Sequence, residues 1–219
     1  MKNFSWLPDI VRDPLVMVRN RYRQLHQRRK LEQLSLQPVK KIVVGSEGSH
    51  FEEWVTTEQD VLNLVFEIDW GNYFKKNSLD AILAEHVWEH LTPKDSVIAS
   101  RNCFNFLKPG GYLRVAVPDG YHPDPHYIED VKPGGSGAGA DDHKVLYNYD
   151  TFRKIFSSVG FDVSLLEYFD EHGEFIAKEW SASDGFIERS KRFDSRNASG
   201  NLSYTSIILD ARKPVGQHD

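Results

Sequence analysis

The sequence predicts an α/β protein whose doubly wound, mainly parallel sheet is preceded by an N-terminal helix. Short apolar runs rich in β-branched residues recur along the chain, and helical segments separate them. Such runs are typical of strands buried on both faces of a sheet, and their alternation with helices favours parallel pairing. The sequence Pro109-Gly110-Gly111 lies between a helical segment and an apolar run, where proline and glycine are expected to end the helix.

Length and composition are those of one folded unit. The chain has 219 residues, of which 40% are hydrophobic, enough for a substantial core. Its net charge of -5 gives no reason to expect nucleic acid as a partner. The single cysteine, Cys103, excludes an internal disulfide framework and fits a reducing compartment. No targeting signal or membrane-spanning run is visible, so a cytoplasmic protein is predicted.

The chain divides into three regions. Residues 1–38 are predicted to form a basic amphipathic helical segment, residues 39–214 the α/β domain and residues 215–219 a tail. The helix is expected to begin after Asp13-Pro14, an N-cap-like residue followed by proline in the first turn. Apolar residues then recur at helical spacing, namely Leu15, Val18, Tyr22, Leu25 and Leu34. We expect a solvated basic face. The alternatives are contact with an anionic partner or a membrane surface, and oligomer formation through this helix.

The strands of the domain are predicted at residues 41–45, 54–58, 81–84, 112–117, 163–169 and 205–211. Helices are predicted to begin at Thr92-Pro93 and at Asp150. Residues 121–142 are rich in proline, glycine and histidine and are predicted to form a lid or a binding loop. Ligands of such sheets bind at the carboxyl ends of the strands, so the loops that follow these strands are expected to carry a site.

Six short stretches carry a family resemblance. They are Val43-Val44-Gly45, Trp54-Val55-Thr56-Thr57-Glu58, Ser78-Leu79-Asp80-Ala81-Ile82, Glu85-His86-Val87-Trp88-Glu89-His90-Leu91, Leu107-Lys108-Pro109-Gly110-Gly111 and Val117-Pro118-Asp119. Together with two stretches nearer the C-terminus, residues 184–190 and 208–213, they extend a resemblance over about residues 41–213. The sequence resembles the class I S-adenosylmethionine-dependent methyltransferases, particularly a bacterial subgroup of small predicted enzymes with a shortened first helix. The resemblance implies a Rossmann-like fold, S-adenosylmethionine as cofactor, and methyl transfer to an oxygen or nitrogen of a small polar molecule or glycan precursor.

The resemblance also implies which residues bind the cofactor. Gly45 would let the backbone approach its methionine part, and Glu58 would accept the two ribose hydroxyls. Asp69 would accept the adenine amino group, and Trp70 would lie against the adenine ring. Glu85 would lie near the methyl-bearing sulfur. Glycine and carboxylates are the groups that this chemistry requires.

Histidines are the candidate bases, because imidazole exchanges protons near neutral pH. Three are proposed for the catalytic role: His143, His122 and His86, the first two being preferred. His126 is a further member of the same polar segment. Methyl transfer needs alignment of the acceptor with the methyl group and, for some acceptors, removal of a proton.

The loop after the first strand departs from the family pattern of three spaced glycines. It holds Gly45, Glu47 and Gly48, and Glu47 would repel the cofactor's carboxylate if it pointed inward. A degenerate glycine loop keeps open an alternative function, that of a non-catalytic methyltransferase-like binding or scaffold protein.

A second alternative is a zinc hydrolase. His86, Glu89 and His90 form the pattern H-x-x-E-H, which in zinc peptidases lies on a helix. The pattern directly follows an apolar strand and is followed by Leu91-Thr92-Pro93, so any helix that holds it is very short. A looser metal site could draw on residues of the polar segment, namely His122, Asp124, His126, Asp142 and His143. Neither is preferred, and no metal is predicted.

Overall fold

The computed structural model describes residues 14–45 and 53–216. Strands within these ranges are β1 (Lys41–Val44), β2 (Val55–Thr57), β3 (Leu79–Glu85), β4 (Leu107–Pro118), β5 (Asp162–Phe169), β6 (Phe175–Ala177) and β7 (Ser206–Arg212). The α-helices are α1 (Pro14–Ser35), α2 (Glu67–Gly71), α3 (Pro93–Phe106), α4 (Pro125–Val131) and α5 (Tyr149–Ser157). Glu47 and Gly48, on which the expectation of a degenerate glycine loop rests, lie outside the described residues.

The described strands form one sheet in the order β2-β1-β3-β4-β7-β5-β6. β1 pairs in parallel with β2 and β3, and β3 pairs in parallel with β4. β7 runs antiparallel between β4 and β5, and β6 pairs antiparallel with β5 at the edge. The predicted fold class, an α/β protein with a mainly parallel sheet and an N-terminal helix, is confirmed. From β1 the chain continues to β2 on one side and then to β3 on the other side, so the strand order reverses between β1 and β3. Ligands of doubly wound sheets bind at such a reversal.

Alternate residues of the strands point into two cores. The larger core joins one set of strand residues to side chains of α1, α3 and α5. The smaller core lies on the other set, for example Val43, Leu83 and Ile208, and is covered by Ile187 and Trp180 of an irregular segment. Each central strand is therefore buried on both faces, which explains the unbroken apolar runs of the sequence.

The prediction that Pro109-Gly110-Gly111 ends a helix is wrong, because these residues lie inside strand β4. α3 ends at Phe106 and β4 begins at the next residue, with a shift of register against β3 near Leu79. Gly110 has φ +81°, and a Cβ on Gly111 would lie 3.0 Å from the Asp80 carbonyl oxygen. Both glycines thus lie in an irregular bulge, over which β4 advances from Leu107 to Tyr112 while β3 advances only from Leu79 to Ala81.

The N-terminal helix is confirmed, but the predicted apolar stripe is wrong in its first half. Val18, Tyr22 and Leu25 are largely exposed. The buried contacts come from Leu31 and Leu34 near the end of the helix, which packs against β2. Helical spacing identifies one face of a helix, but it does not say how much of that face meets the domain.

Candidate functional site

The carboxyl ends of β1 and β2 bring Gly45 and Glu58 next to each other. The amide of Gly45 donates to the carbonyl of Thr57 at 2.9 Å, and Glu58 is the next residue along the chain. Gly45 has φ +63°, and a Cβ at this position would lie 2.7 Å from a methyl carbon of Val87. Only glycine satisfies both conditions without strain. The ends of β1 and β2 therefore bring this glycine turn and Glu58 together.

Glu58 is half-buried and borders an open depression. The lining residues of this depression are Arg23, Glu58, Gln59, Asp60 and Asn63. The backbone carbonyl of Glu58 accepts hydrogen bonds from Val61 and Leu62, each at 3.0 Å, which fixes the turn after β2. Glu58 therefore lies in a fixed turn at the carboxyl end of β2.

Asp69 and Trp70 differ in what they can offer. Asp69 is half-buried, and its Oδ2 accepts the amide of Asn63 at 3.0 Å. Trp70 has no exposed surface: it stacks on Phe106 at a centroid distance of 5.4 Å, and its indole donates to the carbonyl of Leu64. The expectation that Trp70 lies against adenine is wrong, because both faces of the indole are buried in the core.

Glu85, at the end of β3, fixes a distant segment of the chain. Its Oε1 accepts the amide of Arg189 at 2.7 Å and its Oε2 accepts the amide of Glu188 at 3.0 Å. Burial raises the pKa of this carboxyl, and the two amide hydrogen bonds oppose the rise. Because both oxygens are engaged within the chain, the carboxylate positions residues 188–189 rather than serving as a free ligand group.

His86 lies directly after β3 in a strained backbone conformation, with φ +53°. Its Nε2 is 3.0 Å from the Ser206 hydroxyl, and its Nδ1 is 3.3 Å from Oε1 of Glu89. Burial holds the pKa of His86 well below its ordinary value, so the ring is neutral at neutral pH. Strain of this kind persists where the surroundings fix it and is concentrated at functional sites. Both ring nitrogens are occupied, however, which argues against a role for His86 as base.

His122 is excluded as the base. It is 5% exposed, and its ring stacks on Tyr127 with centroids 3.9 Å apart. Its Nε2 donates to the carbonyl of Leu202 at 3.1 Å, and its Nδ1 accepts the amide of Asp124 at 3.2 Å. With both nitrogens bonded to backbone groups, the ring stabilises the loop after β4 and has no lone pair for a substrate.

His143 keeps one ring nitrogen for chemistry. Its Nδ1 donates to the carbonyl of Val131 at 2.7 Å, so the neutral ring carries its lone pair on Nε2. The ring is half-buried, and burial lowers the pKa of His143 below its ordinary value, with the neighbouring His90 acting in the same direction. Among the three predicted bases, His143 alone combines an oriented ring with an available nitrogen.

The structure groups His143 with two residues of the H-x-x-E-H pattern. Glu89 and His90 lie in a single turn of 3-10 helix, Trp88–His90, so the zinc-peptidase helix is absent from the described chain. Instead, the rings of His90 and His143 meet edge to face at a centroid distance of 4.8 Å. The amides of Lys144 and Val145 donate to the carbonyl of Glu89, at 2.7 and 3.3 Å, and fix the two segments together. We call Glu89, His90 and His143 the His–Glu cluster.

The polar segment that follows β4 is more ordered than predicted. It contains α4 and a second 3-10 turn, Ala140–Asp142. Asp124, a member of the looser metal set, caps α4 by accepting the amide of His126 at 2.8 Å. Within the described residues, the His–Glu cluster forms the only group of three potential metal ligands, so His122 and His126 do not share a site with His143. Sequence reasoning singled out Glu89 and His90 in the H-x-x-E-H pattern and His143 as a candidate base, but it did not predict that the three lie together.

Comparison with known proteins relates part of the chain to methyltransferases. Residues 56–115, from β2 to the middle of β4, match the family model described as "Methyltransferase domain". No curated protein sequence matches the chain. Among the described residues, no helix is long and apolar enough to cross a membrane.

Solved structures of methyltransferases also align with the chain. A SAM-dependent methyltransferase from Archaeoglobus fulgidus is 16% identical, with a TM-score of 0.47, and the alignment covers 92% of this chain and 100% of that one. A possible histamine N-methyltransferase from Thermotoga maritima is 14% identical, with a TM-score of 0.46 and coverages of 90% and 96%. Phosphoethanolamine N-methyltransferase 2 from Haemonchus contortus is 14% identical, with a TM-score of 0.43 and coverages of 88% and 52%.

Proposed function

We propose that the chain transfers the methyl group of S-adenosylmethionine to an oxygen or nitrogen atom of a small polar molecule or glycan precursor. The observation that carries the proposal is the junction of β1 and β2, where the left-handed Gly45 lies beside the half-buried Glu58. The match to the methyltransferase domain model includes this acid, continues through β3 and ends within β4. A mainly parallel sheet that reverses its order between β1 and β3 supplies the crevice.

The residues around this crevice fit the cofactor. The Glu58 carboxylate is suited to two adjacent ribose hydroxyls, because its two oxygens can accept two hydrogen bonds. Asp69 is suited to an amino group, since one of its oxygens already accepts an amide and fixes the carboxylate. Gly45 presents backbone without a side chain directly after β1. When bound, S-adenosylmethionine supplies a methyl group on a positively charged sulfur that becomes a neutral thioether after transfer.

In this proposal the remaining residues position and activate the acceptor. His143 lies at the same edge of the sheet as the strand ends, and its Nε2 can take a proton from an acceptor hydroxyl or amine in the metal-free protein. Its lowered pKa keeps that nitrogen unprotonated at neutral pH. The polar character of residues 119–145 supports a small polar acceptor. Reactions of this kind depend mainly on alignment, which the fixed loops around the site can provide.

Calorimetric titration with S-adenosylmethionine and S-adenosylhomocysteine tests the proposal. We expect micromolar binding of both ligands to metal-free protein. Glu58→Gln should weaken binding by about tenfold or more, because a hydrogen bond to a charged group contributes about 1.5–3 kcal/mol. Glu67→Gln is the matched control: it removes the same charge from an exposed acid that pairs with Lys76, and binding should not change.

The titration also decides between the proposal and its alternative. Binding of S-adenosylmethionine followed by release of S-adenosylhomocysteine with one acceptor from a panel of polar hydroxyl and amine compounds would establish the enzyme. Absence of heat with either ligand, at protein concentrations that would detect a millimolar dissociation constant, would overturn it. The scaffold function would then be favoured.

A further inference from the structure

We propose that the His–Glu cluster is a binding site for a divalent cation of the zinc class. Each of Glu89, His90 and His143 offers one ligand atom, and these atoms lie within 4.8 Å of one another. Zinc binds imidazole nitrogen and carboxylate oxygen at about 2.0–2.2 Å, so the donor atoms of one ion lie about 3–4 Å apart. Side-chain movements of about 1 Å therefore bring the three donors onto one ion.

His143 is already oriented as a metal ligand is. Ligating histidines almost always donate their other ring N–H to a backbone carbonyl or carboxylate, which fixes the tautomer and the direction of the ring. The Nδ1 of His143 donates to the carbonyl of Val131 at 2.7 Å. Since Nδ1 is used in this way, Nε2 is the nitrogen left for a cation.

His90 repeats this arrangement with a carboxylate. Its Nδ1 lies 3.3 Å from Oδ2 of Asp142, and the other oxygen of Asp142 accepts Lys144 Nζ at 2.6 Å. The carboxylate is thus itself held in place, and carboxylate–histidine–metal triads have this order of contacts. The two rings, each with an oxygen behind its Nδ1, also meet edge to face at a centroid distance of 4.8 Å.

Glu89 supplies the negative charge of the site. Its side chain is 1% exposed and lies 3.3 Å from the ring of His86, whose backbone is strained. Carboxylate oxygen is one of the ligand types that zinc binds, and its negative charge attracts a divalent cation. The hydrogen bonds from Lys144 and Val145 to the Glu89 carbonyl hold the segment that carries His143 against this carboxylate.

The donor set selects the cation and suggests its use. Two imidazoles and one carboxylate favour zinc and neighbouring first-row ions over magnesium, which prefers oxygen ligands. Three protein ligands leave a position open for a water or a hydroxyl, whose pKa the ion lowers. This last step rests on the proposed function: a cation here would make an oxygen, rather than a nitrogen, the methyl acceptor, and would replace the imidazole as the activating group.

Zinc titration of protein treated with chelator tests the site. We expect one equivalent of Zn²⁺ per chain and much weaker binding of Mg²⁺. His90→Ala and His143→Ala should each weaken Zn²⁺ binding by at least about 100-fold, since even changes in the outer shell cost 10–100-fold. Glu89→Gln, which keeps the size of a buried side chain, should do the same, and circular dichroism will report whether each variant is folded.

Matched controls separate this site from adventitious binding. His126→Ala and His172→Ala remove exposed imidazoles elsewhere and should leave the Zn²⁺ affinity unchanged. Cobalt should give visible absorption bands typical of four or five ligands in the original protein and lose them in His143→Ala. Equal Zn²⁺ affinity in the original protein and in folded His143→Ala, equal loss in His126→Ala, or Mg²⁺ binding as tight as Zn²⁺ would each overturn the proposal.

The titrations with zinc and with S-adenosylmethionine test the cation site and the proposed methyl transfer separately. Zinc binding without cofactor binding would support the cation site and overturn methyl transfer. Cofactor binding without zinc binding would overturn the cation site and leave His143 as the candidate base.

Discussion

Two histidine-bearing segments lie at the carboxyl edge of the sheet and use their rings in opposite ways. In the loop after β4, His122 is buried between Tyr127 and Phe169, and both of its ring nitrogens bind backbone groups. In the segment after the Ala140–Asp142 turn, His143 is half-buried, and one nitrogen binds a backbone carbonyl. The first ring completes a folded loop, whereas the second is held in place with one nitrogen available.

The difference shows that the number of histidines in a loop is a poor guide to chemistry. A ring with both nitrogens bonded contributes stability, and its removal exposes two backbone groups that then lack partners. A ring with one nitrogen bonded is oriented at small cost and can still accept a proton or hold a cation. The comparison therefore predicts a large loss of stability for one histidine and a large loss of function for the other.

The largest expected effect on stability is that of His122→Ala. Truncation removes the stack on Tyr127 and leaves the carbonyl of Leu202 and the amide of Asp124 without the ring. We expect the free energy of unfolding to fall by about 3–4 kcal/mol, as for other buried aromatic side chains. Urea unfolding measures it, and a loss below about 1 kcal/mol would remove the distinction between the two segments.

A second prediction concerns pH and the same loop. Asp119 directly follows β4, and its carboxylate accepts the amides of Tyr121 and Phe169. Burial raises the pKa of this carboxyl from 3.8 to about 6. The folded state therefore favours the protonated form. This contribution to stability is complete below about pH 4 and is lost as the pH rises through 6.

The matched variant for this pH effect is Asp119→Asn, which does not titrate. Relative to Asp119→Asn, the original protein should lose about 2–3 kcal/mol of stability between pH 4 and pH 7, since one pKa unit corresponds to 1.36 kcal/mol. Urea unfolding of both proteins at several pH values measures the difference. A constant difference across this range would contradict the raised pKa.

His143→Ala should have a smaller effect on stability and a larger one on function. The half-buried ring makes one hydrogen bond to the protein, so the free energy of unfolding should fall by about 1 kcal/mol. With an acceptor identified, the rate of methyl transfer should fall by at least about 100-fold, whether the ring acts as base or as ligand. A variant that transfers methyl groups at the original rate would show that the open nitrogen is not used.

The smallest expected effect is that of His126→Ala. This ring is exposed on α4, between the two segments along the chain. We expect a change in stability within about 0.5 kcal/mol, as for surface substitutions in general, and unchanged methyl transfer. A larger change in stability or in methyl transfer would mean that the histidines of the polar segment act together. The different effects expected for His122 and His143 could then not be assigned to their individual hydrogen bonds.

Local signals in the sequence predicted most of the fold. The β-branched run at 41–44 forms β1, and Thr92, whose side chain accepts the amide of Asp95, begins α3 as predicted. Each of these signals acts within a few residues of the structure that it determines. Pro109-Gly110-Gly111 was assigned the wrong role, because a bulge depends on a neighbouring strand that is about 30 residues away in sequence.

The candidate site was predicted only in part, for the same reason. The order of strands placed Gly45 and Glu58 at one edge, because parallel strands with short connections leave little choice. The burial of Trp70 against Phe106 and the use of Glu85 by residues 188–189 depend on packing that no local pattern records.

The sequence by itself determined the alternation of strands and helices, the edge at which the strands end and the residue types gathered there. Only the tertiary structure decided which of those residues retain a group for chemistry. Whether a ring nitrogen is available depends on a partner such as Leu202 or Val131, which lies 80 or 12 residues away along the chain. Hydrogen-bond partners at such separations are set by how the loops pack on the sheet, and that packing is a property of the whole fold.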